Sequence, residues 1–525
     1  MYQILVADAI SEDGLQPLLD FKNGQLIIKK VTDPDVELDK VDALLVRSAT
    51  QVTNDLLEKM PQLKIIARAG VGVDNIDVTA ATKRGIIVVN APDGNTISTA
   101  EHTFAMMASL MRNIPQAHQS VKNLEWRRND FIGTELYGKM LGILGMGRIG
   151  SELAKRAKVF GMSVHVYDPF LTKERANKLG VESSSLDEVL ELADIITVHT
   201  PLTPQTKGLI NEDTLAKTKK GVYFLNCARG GIIDEDALAK FLGNGHVAGA
   251  AIDVFVTEPP GEHQLFKFDN VIVTPHLGAS TKEAQLNVAT QVAKEVRTYF
   301  EDKPVSNSIN LPAMSRDIFE KIRPFHHLST KIGLILSQCI KEGIDELSIT
   351  YSGTVSDLET SYLTKALLAG FFKNRIDVHV NEVNALLTAK ERGITIGEKI
   401  STNSFGYANA ISVTAKGEKQ HYSIRGTYID HYGPRIVYLN DFNIDFHPEG
   451  NLLYIQHMDR PGVIGRVGKI LGDNEVNIAT MQVGRKQVGG EAIMVLSFDK
   501  PLDDESLTSL TSLDDIVSLN RIRIN

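Results

Sequence analysis

Leu141-Gly142-Ile143-Leu144-Gly145-Met146-Gly147-Arg148-Ile149-Gly150 decides the reading of this chain. An apolar run enters a turn with the spacing Gly-x-Gly-x-x-Gly, and Ile149, Leu153, Ala157 and Phe160 then step at helical spacing up to Gly161. In such a strand–turn–helix unit Gly145 makes the tight turn, Gly147 lets the backbone approach a pyrophosphate, and Gly150 lets helix and strand pack closely. The helix amides and dipole face the phosphates. The next apolar run, Val164–Tyr167, ends in Asp168, an acid placed to hydrogen-bond both ribose hydroxyls. A 2′-phosphate would meet that carboxylate as a like charge, so the pattern predicts NAD rather than NADP.

Outward from this unit, short apolar runs alternate with helical patterns over the first 310 or so residues. Ile4–Ala7, Ala43–Val46, Ile65–Ala67 and Ile86–Val89 precede it, and Ile195–Val198, Tyr223–Leu225, Ala248–Ile252 and Val271–Val273 follow. Near-continuous apolar runs mark parallel strands covered on both faces, so the expected class is α/β with doubly wound sheets. Residues 1–144 carry their own β–α pattern before the first glycine and are expected to form a second lobe, with a cleft between the two. A helix is expected over Ile97–Met111, with Pro115 just past its end. Residues 312–445 mix helices with strands such as Glu346–Tyr351 and show no chemical motif, whereas 451–525 read as βαββαβ, a ferredoxin-like order.

Composition narrows the function. The chain has 525 residues, 43% hydrophobic and 23% charged, with a net charge of −9, which disfavours nucleic-acid binding as its main task. An anionic small substrate then requires a local cationic pocket. Two cysteines, Cys227 and Cys339, suit neither a disulfide scaffold nor a cysteine-rich zinc module. No window is apolar enough for a membrane span, and Met1–Ile10 lacks the basic start of a secretory signal, so a cytoplasmic protein is expected. His326-His327 is an isolated pair without ligand spacing, and no metal site is expected.

Three stretches, each after an expected strand, carry the candidate chemistry: Asn226-Cys227-Ala228-Arg229-Gly230-Gly231, Asp253-Val254-Phe255-Val256-Thr257-Glu258-Pro259-Pro260 and Thr274-Pro275-His276-Leu277-Gly278-Ala279. Oxidation of a 2-hydroxy acid needs a base for the hydroxyl proton, a role that suits His276. Glu258 is placed to orient the other ring nitrogen, and the Arg229 fork to hold a carboxylate. Each residue alone also has an ordinary structural reading: a histidine after proline, a loop arginine, a turn-starting glutamate. Cys227 reads as a small residue beside the cofactor. In the first lobe, Arg47 and Ser48 are candidates for a phosphate and the amides of Gly70, Val71 and Gly72 for a carboxylate, while a solvated strand-end charge remains open for Arg47.

Together these motifs resemble the D-isomer-specific 2-hydroxy acid dehydrogenase family over residues 1 to about 310, in its long branch with an intervening domain and a C-terminal ACT domain. The resemblance implies two Rossmann-like lobes. The substrate lobe would comprise 1–97 and 285–310, the NAD lobe 98–284, the intervening domain 311–447 and the ACT domain 451–525. It implies Arg229, Glu258 and His276 as catalytic residues. For NAD it implies Gly145, Gly147, Arg148, Ile149, Gly150, Asp168, Thr200, Cys227, Ala228, Arg229, Asp253, His276, Leu277, Gly278 and Ala279. It also implies Arg128 reaching a partner subunit's site, within a homo-oligomer, dimer or tetramer. The implied reaction is oxidation of D-3-phosphoglycerate to 3-phosphohydroxypyruvate at the start of L-serine synthesis, with 2-oxoglutarate reduction as a side activity.

The alternatives are a glyoxylate or hydroxypyruvate reductase, which would not need the C-terminal regions, and an NAD-sensing corepressor. In the ACT-like segment His457, Asp459 and Asn477 are expected to gather with free helix amides at one sheet edge, as a site for L-serine. Pro461 is expected in the first helical turn there.

Overall fold

The computed structural model describes residues 1–524 except 313, 315, 374, 419 and 420. Two parallel sheets form the first part. The first contains β1 (Tyr2–Val6), β2 (Gly24–Ile28), β3 (Ala43–Val46), β4 (Ile65–Arg68) and β5 (Ile87–Asn90) in the order β2-β1-β3-β4-β5. The second contains β6 (Met140–Leu144), β7 (Ser163–Tyr167), β8 (Glu182–Ser183), β9 (Ile195–Val198), β10 (Val222–Asn226), β11 (Val247–Ile252) and β12 (Val271–Val273). Its order, β12-β11-β10-β9-β6-β7-β8, reverses direction between β6 and β9. That switch point lies at the Gly145–Gly150 turn, where a crevice opens beyond the carboxyl ends of the strands. The doubly wound α/β class read from the sequence is the one observed.

The chain crosses between these lobes on two long helices. Thr96–Met111 leaves the first lobe and packs Met106, Met107 and Leu110 against Leu141, Leu153 and Leu225 of the second. Lys282–Phe300 returns, and its Val288, Val292 and Val296 lie with Ile4, Ile65 and Ala67 in the core of the first. Pro115 follows the end of the first crossing helix, as expected, but it is not what ends that helix. It lies in the first turn of a second helix, Ile114–Lys122, where its missing N–H leaves no bond unmade, and the break is made by Asn113 at φ 52°. β2 escaped the sequence reading because an edge strand with exposed Gln25 and Ile28 lacks the continuous apolar run of a strand covered on both faces.

Beyond the lobes, a six-stranded sheet contains β13 (Glu346–Gly353), β14 (Thr395–Ser401), β15 (Asn409–Lys416), β16 (His421–Ile429), β17 (Gly433–Leu439) and β18 (Phe442–Phe446). Helices Arg316–Cys339 and Thr360–Phe372 pack on it, and they approach so closely that a Cβ at Gly333 or Gly370 would strike the facing backbone. The last sheet contains β19 (Gly450–Met458), β20 (Ile478–Arg485), β21 (Glu491–Phe498) and β22 (Ile516–Ile524) in the order β20-β21-β19-β22. One face buries Leu453, Ile455, Met494 and Leu496 against its own two helices. The other buries Leu452, Tyr454, Val495 and Ile522 in the core of the six-stranded sheet. The six-stranded unit docks on the first lobe through Val383, which joins that lobe's core, and through Asn381, whose side chain donates to the Gly85 carbonyl at 2.8 Å.

Candidate active site

The glycine turn behaves as its three positions require. Gly145 has φ 103°, and an added Cβ would lie 2.6 Å from the His199 carbonyl oxygen; at Gly150 one would collide with the Gly145 carbonyl. A Cβ on Gly147 would meet nothing, so that position is open on the cleft side. Asp168 accepts from the Met146 amide at 2.6 Å and the Phe170 amide at 2.8 Å, which fixes its carboxylate at the end of β7 beside the turn. Arg148 reaches across the cleft to Asp93 at 2.5 Å. A cavity of about 540 Å³ runs along the turn, lined by Gly147, Arg148, Ile149, Thr200, Cys227 and Ala228 among others. Two buried polar atoms of its wall, His199 Nδ1 and Thr200 Oγ1, have no partner within the protein. Burial pushes His199 down to about 4, so the ring is neutral at physiological pH. An open glycine, unpaired polar atoms and a carboxylate at the ribose position fit a dinucleotide.

Asp253 anchors the loop that carries His276. It is fully buried, yet its Oδ1 accepts from the Leu277 amide at 2.7 Å and the Thr274 hydroxyl at 2.5 Å, and its Oδ2 from the Gly278 amide at 2.9 Å. His102, on the first crossing helix, approaches Oδ1 at 3.2 Å. Burial alone would raise the Asp253 carboxyl, but His102, Thr274 and the Leu277 amide outweigh it and hold the group below the usual carboxylate range. Cys227 is pushed up to about 12, by burial first and then by the Asp253 charge, so it stays a thiol. His102, Cys227 and Asp253 form the one convergent set of three potential metal ligands among the described residues. Their carboxylate is engaged by two amides and a hydroxyl.

His276 takes φ 54°, an uncommon conformation for a residue with a side chain, with its amide donating to the Asp253 carbonyl at 2.9 Å. Its Nδ1 lies 2.7 Å from Glu258 Oε2, while Glu258 Oε1 accepts from the Phe255 amide at 3.0 Å. The carboxylate can only accept here, so Nδ1 carries the proton and Nε2 presents its lone pair. Arg229, His276, Gly72 and Ala279 line both the glycine-turn cavity and a second cavity on the first-lobe side, which makes one continuous cleft.

The first-lobe side of the cleft encloses about 680 Å³ and is lined by Arg47, Ser48, Gly70, Val71, Gly72 and a residue the sequence reading gave no role, Arg68. Asp8, just past β1, accepts from the Arg47 amide at 2.6 Å and the Thr50 hydroxyl at 2.6 Å, shaping the loop after β3. Buried Asn75 ties that loop to Arg68: its Oδ1 accepts from Arg68 Nε at 3.0 Å, and its Nδ2 donates to the Arg47 and Thr50 carbonyls. Arg68 is lowered to about 10, by burial first and then by the positive charge of Arg229, with Asp74 opposing and Arg47 adding to the shift. Three guanidinium groups therefore share a pocket short of negative charge. Asn95, at the start of the first crossing helix, adds a buried Oδ1 with no partner within the protein. Arg68 was legible in principle, since it ends β4 at the same sheet edge as Arg47 beyond β3. Asn95, Asp74 and His102 had no such signal.

The residues expected to gather in the last domain are not all together. His457 is buried, with Nδ1 2.9 Å from the Met458 carbonyl and Nε2 unpaired. Asp459 is near it but pairs with Arg485 at 3.2 Å. Asn477 lies at the opposite end of the sheet: it precedes Ile478, which pairs with Phe498, whereas Met458 pairs with Glu491 at the far end of β21. It donates to Asp499 at 2.8 Å. The helix between Met458 and Asn477 traverses the sheet, which separates the two ends. Pro461 stands before the Gly462 N-cap rather than in the first helical turn.

Comparison with known proteins follows this division. Residues 104–278 match the NAD-binding domain model of D-isomer-specific 2-hydroxyacid dehydrogenases, 321–440 the D-3-phosphoglycerate dehydrogenase intervening domain and 452–515 the ACT domain. The chain is 62% identical to D-3-phosphoglycerate dehydrogenase of Bacillus subtilis over 522 residues, 99% of each chain. It is 44% identical to the enzyme of that name from Synechocystis, covering 98% of this chain and 93% of that one. Among solved structures, D-lactate dehydrogenase of Aquifex aeolicus in complex with NAD and lactic acid superposes with a TM-score of 0.53 at 32% identity, over 59% of this chain and all of that one.

Proposed function

The chain belongs to the D-3-phosphoglycerate dehydrogenase family, and from that premise we propose that it oxidises D-3-phosphoglycerate to 3-phosphohydroxypyruvate with NAD, the first step of L-serine synthesis. The observation that carries this reading is the single cleft in which a Glu258-oriented His276 faces three arginines beside the glycine turn. Arg229 holds the carboxylate and polarises the C2 oxygen. Arg47, Ser48 and Arg68 hold the phosphate. His276 Nε2 takes the C2 hydroxyl proton, and Glu258 stabilises the resulting imidazolium. NAD, when bound, supplies the hydride acceptor. Gly145–Gly150 cradle its phosphates, Asp168 its ribose, and Thr200, Cys227–Arg229 and His276–Ala279 its nicotinamide end; Asp253, expected from the sequence to bind NAD, is fully buried and instead holds the His276–Ala279 loop in place.

A reductase for glyoxylate or hydroxypyruvate has no phosphate to place against Arg47 and Arg68. The test is NAD reduction by the full chain with D-3-phosphoglycerate, glycolate and D-glycerate. A preference for either unphosphorylated acid would reject the reading. Asp168→Ala is expected to narrow the catalytic preference for NAD over NADP by roughly 10-fold or more, because one carboxylate at hydrogen-bond range of a 2′-phosphate is a strong local repulsion. An unchanged ratio of kcat/KM for the two cofactors would assign the discrimination elsewhere.

The ACT domain is the candidate L-serine sensor. His457 carries its ring proton on Nδ1, toward the Met458 carbonyl, so its buried Nε2 is a free acceptor for an ammonium or hydroxyl group. Two such sheets related by a two-fold axis perpendicular to their strands would run in opposite directions and bring the second copy's Asn477 to this end, so the proposed serine site lies between two chains. Exposed Leu124, Trp126, Ile132 and Tyr137, near Arg128, offer a further apolar surface for a second copy of this chain. Inhibition requires serine to bind the inactive arrangement better, with a coupling of roughly 5- to 150-fold in affinity. Assays of the full chain with L-serine are expected to show inhibition that Asn477→Ala and His457→Ala weaken. Identical serine response in all three proteins, or none at millimolar serine, would remove these residues from regulation.

A further inference from the structure

Arg229 does not wait for substrate unpaired. Its Nε donates to Asp74 Oδ2 at 3.1 Å and one terminal nitrogen to the Ala228 carbonyl at 2.7 Å. Asp74 belongs to the turn after β4 in the first lobe, and Arg229 to the loop after β10 in the second, so the ion pair spans the cleft. The pair lies directly over Gly72: an added Cβ there would overlap an Arg229 terminal nitrogen and sit 2.6 Å from Asp74 Oδ2. The backbone beneath Asp74 is fixed. Asn75 is held by three side-chain hydrogen bonds, and its carbonyl accepts from the Val52 amide at 2.8 Å. The Asp74 side chain itself is 64% exposed, whereas Arg229 is 27% exposed. Besides Glu258, which is turned to His276, Asp74 is the only carboxylate among the residues lining this cavity, against Arg47, Arg68 and Arg229.

We propose that Asp74 is a positioning residue that holds Arg229 across the cleft and hands it over to the substrate carboxylate. The inference rests on the functional reading above. Asp74 presents to Arg229 the same group that the substrate presents, so the two compete for one guanidinium. The arginine stays extended over Gly72 before substrate arrives, and the displaced Asp74 carboxylate then stands near the bound anion and repels it. The product keeps both the carboxylate and the phosphate, so the same repulsion assists its departure. A purely structural surface ion pair would do neither.

Asp74→Asn removes the charge and keeps the shape. Calorimetric titration of D-3-phosphoglycerate into the full chain saturated with NADH, a complex that cannot turn over, is expected to show about tenfold tighter binding than in the unaltered protein. That is the scale of one charge a few ångströms from a bound anion. In steady-state assays KM falls in parallel, kcat does not rise, and inhibition by 3-phosphohydroxypyruvate tightens. Asp74→Glu, which restores the charge, returns affinity toward that of the unaltered protein. Asp74→Ser gives the same reading should the asparagine variant not accumulate as folded protein. Equal or weaker binding in the uncharged variants would overturn the proposal. A tenfold shift in binding without any turnover by the unaltered enzyme would reject the proposed activity and leave the role of Asp74 standing.

Discussion

Replacing His276 by alanine is expected to lower kcat by roughly 100- to 10,000-fold, the scale on which general acid–base catalysis contributes. The ring lines both the cofactor and the substrate cavities, and its Nε2 lone pair faces the cleft because Glu258 holds the Nδ1 proton at 2.7 Å. NAD affinity is expected to change much less, since the glycine turn and Asp168 lie apart from the ring. Calorimetric binding of NADH alongside turnover separates the two effects. Glu258→Gln is the finer probe. It retains a group that can accept from Nδ1 and removes the negative charge that favours the protonated ring. The value of kcat is expected to fall as the imidazolium formed in the reaction loses its counter-ion. Near-normal turnover in His276→Ala would strike the histidine from the mechanism, and an unchanged kcat in Glu258→Gln would separate the pair.

Arg229→Lys keeps the charge but is expected to lower kcat/KM by roughly 100-fold or more, because losing a charge-assisted, two-point hold on a carboxylate costs about 2–4 kcal/mol. An ammonium cannot reach the substrate carboxylate and the Ala228 carbonyl in one plane, as the guanidinium fork does. The loss should appear in KM as well as kcat, since the carboxylate is held before and during the reaction. A lysine variant with unaltered kcat/KM would mean that charge alone suffices and that the fork geometry is incidental.

Sequence by itself determined the doubly wound class, the glycine turn, the acid at Asp168 and the βαββαβ order of the last domain. These are local facts. A turn that must bring backbone to a phosphate admits only glycine at set spacings, and buried parallel strands must be apolar on both faces. It also placed Arg229, Glu258 and His276 after separate strands, because the carboxyl ends of parallel strands share one edge. Tertiary structure alone decided what those residues touch. The Glu258–His276 pair, the Asp253 anchor under the His276 loop and the joining of Arg68 to Arg47 through Asn75 link residues distant in the chain. The Asp74–Arg229 contact spans two separately folded sheets, and no periodicity in either segment encodes it. Asn477 was misplaced for the same reason. Residue types and order predicted a site, but the helix between β19 and β20 carries the chain across the sheet. Side-chain chemistry is written in the sequence, whereas proximity arises from how sheets and helices close on one another.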